Sequence, residues 1–148
     1  MTQRRIIRFY RVNEPYGQFS NFSPHPIFLD GVTWPTSEHY FQAQKFLDDE
    51  RREEIKAAAS PMVAARLGRD RSRPLRPDWD QVKDEIMRTA VRAKVMQHTE
   101  VRQLLLDTGD ALIVEHTAHD SYWGDGGDGS GKNMLGRILM EIRTELAK

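Results

Sequence analysis

The chain has 148 residues, with 22 basic and 22 acidic side chains and no cysteine. That is the length of one ordinary domain, enough to bury a real core. Zero formal charge excludes a global field drawing the chain onto nucleic acid or membrane, and the lack of cysteine excludes disulfides and thiolate metal sites.

The opening residues, MTQRRIIRFYRV, lack the apolar run of a secretory leader, and no stretch has the length to span a bilayer. A cytoplasmic protein with no membrane partner is expected. Ile6 to Val12 is rich in β-formers and reads as a strand, followed by a turn at NEPYGQ. FSNF sits between that turn and SPHP, so Ser20, Asn21 and Phe22 belong to a constrained loop. Ser20 and Asn21 there either offer a hydroxyl and an amide to a ligand or cap a turn. Ile27 to Trp34 carries Asp-Gly between two β-rich triplets, which reads as a hairpin delivering Trp34 to the next element.

That element, Ser37 to Phe46 (SEHYFQAQKF), reads as a helix capped by Thr36. At about 100° per residue, Glu38, Gln42 and Lys45 share one stripe, while Tyr40, Ala43, Phe46 and Leu47 form a core-facing arc. The stripe is either a solvated helix face or the wall of a ligand site. The rings around it (Phe19, Phe22, Trp34, Tyr40, Phe41, Phe46) favour the second reading. Glu38 lies in the first turn, where the helix dipole favours a carboxylate. A buried Lys45 would lose basicity through desolvation.

Asp49 to Ala59 is charged, then Ala-rich, and helical in character. Ser60-Pro61 gives an N-cap followed by proline at the first helical position, opening a short helix with Gly68 as its expected C-cap. Arg66, Arg69, Arg71, Arg73 and Arg76 crowd the irregular stretch that follows, as a phosphate-binding patch or as a solvated loop. Asp78 is expected to cap a helix of about twenty residues whose buried face carries Trp79, Val82, Ile86, Ala90 and Ala93. Lys94 near its end reads as a cation at a helix C-terminus. A further short helix starts at Thr99, and Ala111 to Glu115 suits a buried strand ending at Glu115.

The loop SYWGDGGDGSGKN has five glycines between Trp123 and Asn133, so its backbone can approach a ligand closely. It leads into a final helix with Met134, Leu135, Ile138, Leu139, Ile142 and Leu146 on its apolar side. Gly126 to Asn133 approximates a phosphate loop. That reading fails because Asn133 stands where Ser or Thr should hold magnesium, no strand abuts the loop, and Asp125 and Asp128 would repel a triphosphate. The loop is therefore a pocket wall, with Trp123 stacking on a base or ribose, or a surface loop. His116 and His119 lack a third ligand at zinc spacing, and the Asp125–Asp128 pair lacks the glutamate that ends a calcium loop, so no metal is expected.

Four strings, FSNFSP (Phe19 to Pro24), GVTWPTSEHYFQAQKF (Gly31 to Phe46), WG (Trp123–Gly124) and NMLGRILM (Asn133 to Met140), resemble the NADAR family, the YbiA-like group of N-glycosidases, in the family's order and over nearly the whole chain. The resemblance implies cleavage of a ribose–base N-glycosidic bond. The substrate classes it implies are phosphorylated aminopyrimidine ribosides of riboflavin biosynthesis, or ADP-ribose on guanine in nucleic acid. Lys45 matches the lysine of the family pattern E-H-x-x-Q-x-x-K and is the implied nucleophile, through a Schiff base with ring-opened ribose; Lys94 corresponds to a further lysine of the family pattern. Glu38 is the first candidate for acid/base work and for stabilising charge at the anomeric carbon, with Glu115 second. Ser20, Asn21, Phe22, Trp34, Gln42, Arg69, Trp123, Gly124, Asp125 and Asn133 are expected to bind substrate in one pocket.

No cofactor is expected. The partner is a small ribosyl molecule, phosphoribosyl or ADP-ribosyl, with ADP-ribosylated nucleic acid as the alternative. The sequence carries no signal of oligomeric state. A binding module for ADP-ribose or a nucleotide is the reading from another class, and turnover separates the two. The expected fold is α+β: a mainly helical single domain over residues 1–148, with a small antiparallel sheet from the N-terminal strand, the hairpin and Ala111 to Glu115.

Overall fold

Local signals decide most of the elements. Asp30 and Gly31 both adopt left-handed backbone, at φ 55° and 78°, as a tight two-residue hairpin turn requires. They join β2 (Ile27–Leu29) to β3 (Val32–Trp34) in antiparallel register, Ile27 opposite Trp34. The computed structural model describes residues 4–148, in which β1 (Ile6–Phe9) and a single 3-10 turn (Gly17–Phe19) precede this hairpin. After it come α1 (Ser37–Ala43), α2 (Asp49–Lys56), α3 (Pro61–Arg69), α4 (Trp79–Gln97), α5 (Thr99–Asp107), β4 (Leu112–Glu115) and α6 (Met134–Leu146). Residues 1–3, which open the N-terminal stretch read above as lacking a leader, lie outside the described residues. No described helix is long and apolar enough to cross a membrane.

The chain forms two compact units: Pro24–Gln97, and the described residues up to Ser23 together with His98–Lys148. In the first, side chains satisfy the orphan amides at three helix starts. Thr36 Oγ1 accepts from His39 N (3.1 Å), Asp48 from Glu50 N (3.0 Å) and Ser60 from Val63 N (3.2 Å). α1 packs against α2, α3 and α4, around a core that includes Ile27, Trp34, Tyr40, Phe46 and Ile55. At the far end of α4, the Gln97 amide gives to the Phe28 carbonyl and takes from the Phe28 N–H, both at 2.8 Å. It thereby satisfies backbone groups that a two-stranded sheet leaves open.

Two boundaries in this unit differ from the sequence expectation. α1 stops at Ala43, short of Phe46, because the chain tightens there: Lys45 N donates to Gln42 O and Phe46 N to Ala43 O, both at 3.2 Å, three residues back instead of four. Gln44 O accepts from Arg76 Nη1 (3.3 Å) and Lys45 O from Arg76 N (2.8 Å). Gly68 lies inside α3, and Asp70 occupies the C-cap instead.

In the second unit, β1 and β4 pair in parallel, Ile6 opposite Leu112 and Phe9 opposite Glu115. The α+β expectation holds, and the hairpin is its small antiparallel sheet. The N-terminal strand and the 112–115 strand, however, form their own parallel pair. Strands a hundred residues apart carry no turn signal that would reveal their pairing. α6 packs on β4 and presents Leu135, Ile138, Leu139 and Ile142 to the interior. Its backbone comes so close that a Cβ at Gly136 would overlap the Ile113 carbonyl.

Candidate functional site

Every residue of α1, polar or apolar, is buried. Seven residues make two turns, and neighbours cover the helix on all sides, so the Glu38–Gln42 stripe is an interior surface and not a solvated face. Glu38 is 8% exposed and Gln42 5%. Gln42 Nε2 donates to Glu38 Oε1 at 2.7 Å, the i,i+4 contact that the spacing predicts. Gln42 Oε1 is buried and has no hydrogen-bond partner among the described residues.

Lys45 lies just past the helix, in a turn closed by Lys45 N donating to Gln42 O (3.2 Å). Arg76 anchors this turn through the two contacts above and is itself held by Asp78, its Nε 2.7 Å from Oδ1. The Lys45 side chain is 9% exposed, with Nζ 5.9 Å from the centroid of the Phe41 ring and 6.0 Å from that of Trp79. The two rings pack on each other at 5.2 Å. Burial pushes the Lys45 amine down to about 8, against the pull of the Glu38 carboxylate, and the Arg71 and Arg69 guanidiniums push it further. With its pKa there, roughly a tenth of the amine is neutral at pH 7, whereas an exposed lysine is almost wholly protonated.

The arginine stretch divides in two. Arg73 pairs with Asp48 (2.8 Å) and Arg76 with Asp78 (2.7 Å), so each already has a carboxylate partner within the chain. Arg66, Arg69 and Arg71 are exposed and form no ion pair among the described residues. Arg69 and Arg71 are the two that act on Lys45. A cleft of about 380 Å³, lined by Phe46, Leu47, Pro74, Leu75 and Pro77 with Arg51, Arg73 and Arg76, opens in the same unit. Neither Glu38, Gln42 nor Lys45 lines it. Trp34 belongs to the core, its ring edge-on to Tyr40 at 5.5 Å.

The remaining expected site residues lie in the other unit. Ser20 and Asn21 are buried, at 5% and 7%, and Ser20 Oγ accepts from Phe22 N (3.1 Å), so Ser20 does close a local turn. The Phe22 ring is exposed. Glu115 ends β4 and its carbonyl accepts from Asp125 N (2.9 Å). Asp125 is a brace for the glycine loop. One carboxylate oxygen accepts from Thr117 N and Gly127 N, and the other meets His116 Nδ1 at 2.7 Å. Burial pushes the Asp125 carboxyl up, but these bonds outweigh it and hold the group below its ordinary range.

Gly124 is required sterically, since a Cβ would lie 2.7 Å from Thr117 Cγ2 and 2.9 Å from Glu115 O. Asn133, in left-handed backbone at φ 54°, clasps β4: its Nδ2 donates to Ile113 O (2.9 Å) and its Oδ1 accepts from Glu115 N (3.0 Å). Trp123 is half-buried, edge-on to Tyr122 at 4.9 Å. Among the described residues no three His, Asp or Glu side chains gather as a metal-binding group.

The structure adds to the reading of three residues. Lys94 is 3% exposed, on the inner face of α4, and burial pushes its amine down to about 7. It does stand in the last turn of the helix, but buried, which the reading as a C-terminal cation does not anticipate. The signal was present, because Lys94 stands four residues after Ala90 and seven after Met87, in register with the buried stripe. Trp79 was read as core only, and Arg71 as one arginine among five.

A model of the NADAR domain matches residues 8–147. The chain is 63% identical over 145 residues to the N-glycosidase YbiA of Escherichia coli (strain K12), covering 98% of this chain and 91% of that protein. It is 46% identical over 140 residues to the riboflavin biosynthesis protein VVA0006 of Vibrio vulnificus, covering 95% of this chain and 38% of that longer protein. The NMR structure of E. coli YbiA superposes with a TM-score of 0.91 at 62% identity, over 99% of this chain and 88% of that one. A buried carboxylate–amide–amine column carried by the EHYFQAQK segment, and a match running almost from end to end, lead to one assignment: the chain belongs to the NADAR domain family.

Proposed function

We infer that this protein is an N-glycosidase, a single catalytic domain that hydrolyses the ribose–base bond of a phosphorylated aminopyrimidine riboside. The relatives named N-glycosidase and riboflavin biosynthesis protein support the reaction and its metabolic setting. The observation that carries the mechanism is the state of Lys45, an amine buried against two rings, beside a carboxylate, and neutral in part at physiological pH. The neutral amine attacks C1′ of the ribose. The C1′–N bond to the base breaks as a C1′–N bond to Lys45 forms, and the Glu38 carboxylate takes the proton that the attacking amine sheds and passes it to the departing base. Ring opening leaves a Schiff base, and water adds at C1′ to release the sugar and restore the amine. Gln42 holds one Glu38 oxygen at 2.7 Å and so orients the carboxylate for this proton exchange. Arg69 and Arg71, exposed and without carboxylate partners among the described residues, take the substrate phosphate.

A second reading keeps the same chemistry with ADP-ribose on guanine of a nucleic acid as substrate. The trio Arg66, Arg69 and Arg71, without ion pairs among the described residues, is the observation in its favour. Zero net charge and the internal pairing of Arg73 and Arg76 weigh toward the smaller substrate.

Reductive trapping tests the mechanism. Substrate turned over in cyanoborohydride should leave a ribose-phosphate adduct on the peptide holding Lys45, with the base lost, and Lys45→Ala should abolish both adduct and base release. An adduct on Lys94, the other amine brought near neutrality by burial, would move the nucleophile to α4. Base release with no adduct on any lysine would leave a plain hydrolysis driven by the carboxylate.

A further inference from the structure

Gly68 sits inside α3, two positions from its C-cap, where a helix has no conformational need of glycine; its φ lies outside the left-handed region. In such a position alanine is the more stabilising residue. The reason for glycine lies on the neighbouring helix. A Cβ built on Gly68 would overlap Gln42 Oε1 and lie 2.7 Å from Gln42 Cδ and 3.0 Å from Gln42 Cβ. The obstruction thus runs along the whole Gln42 side chain, and a small rotation of its tip does not relieve it. The same carboxamide is the one whose Nε2 holds Glu38 Oε1 at 2.7 Å. Its Oε1, sealed against α3, has no hydrogen-bond partner among the described residues. The amide is therefore oriented by Glu38 at one end and by the bare α3 backbone at the other.

We propose that Gly68 is a positioning residue: by leaving α3 without a side chain where it crosses α1, it lets the Gln42 carboxamide lie in the crossing and donate to Glu38. The proposal rests on the reading of Glu38 as the acid/base group. A side chain at residue 68 displaces the amide, and Glu38 loses the donor that favours its ionised form.

The test is a double-mutant cycle of Gly68→Ala and Gln42→Ala, with kcat and KM measured against pH and the Gln42 side-chain amide followed by NMR. Gly68→Ala is expected to shift that amide signal and lower kcat about tenfold or more, as misplaced catalytic groups do. KM should change much less, and the acid limb of the kcat profile should move to higher pH. On the Gln42→Ala background the same change should cost less than about twofold, because no amide remains to displace. Wild-type kcat and acid limb in Gly68→Ala, or losses that simply multiply across the cycle, would overturn the proposal. If Gly68→Ala does not fold, the double variant decides: recovery of folding by Gln42→Ala supports the assignment, and failure to recover overturns it. Glu38→Gln separates the two claims. Full turnover in that variant would sink the role of Glu38, while the NMR shift on Gly68→Ala would still report whether Gly68 sets the amide.

Discussion

A lysine inside a small domain is costly unless its charge is lowered or repaid. Lys45 is only partly repaid by Glu38, so its folded-state amine titrates near 8 and its unfolded one near 10.5. Below pH 8 the folded state therefore carries a proton that burial penalises, and this penalty disappears as pH rises through 10.5. Lys45→Met should stabilise the fold by ~3 kcal/mol at pH 7, the gain fading to nothing by about pH 10.5. Urea melts of both proteins at the two pH values check it, and equal stability at pH 7 would mean that the amine is not desolvated. Native stability given up at one side chain is what a site kept for chemistry looks like. At this scale the sequence was informative about residue type and column, and much less so about burial. The spacing gave the Glu38–Gln42 contact correctly, but a three-four stripe fits a wet face equally well. Only the packing of α2, α3 and α4 around α1 distinguishes the two.

Elements whose signals are local were legible. The Asp30-Gly31 turn, the Thr36 and Ser60 caps and the apolar face of α6 all appear where sequence chemistry puts them. Features set by distant partners were not. The turn after α1 is anchored by Arg76, more than thirty positions away, and β1 found β4 across most of the chain. The clasp at the start of α6 is of this second kind. Asn133 was read as a ligand group, yet both ends of its amide are spent on the backbone of Ile113 and Glu115, in the place of a neighbouring strand. Gly136 lets α6 approach closely enough for that, and a Cβ there would meet both the Ile113 carbonyl and the Asn133 amide. Gly136→Ala should therefore cost about 1–3 kcal/mol through overpacking, although alanine is the better helix former. A melting temperature at or above wild type would show that β4 and α6 can separate without loss.

For the whole molecule, electrical neutrality and the division of the arginines bear on which substrate the fold serves. Two of the five arginines are neutralised by Asp48 and Asp78. The three that are not suit one phosphate better than a nucleic-acid backbone, where binding strength grows with each phosphate neutralised. The reaction class was legible through the family resemblance, which four separated strings carry in order. The substrate was not, because it turns on which arginines are already paired, and the pairing of Arg73 with Asp48, twenty-five residues away, carries no local signal. The most direct test is mass-spectrometric detection of released base from two substrates side by side: the phosphorylated aminopyrimidine riboside, and DNA carrying ADP-ribosyl guanine. Base released from the riboside, and lost with Lys45→Ala, is the predicted result. Release from the modified DNA alone would give Arg66, Arg69 and Arg71 a strand to hold and contradict the metabolite reading. No base from either substrate, with folded protein, would leave a ribosyl-binding module in place of an enzyme.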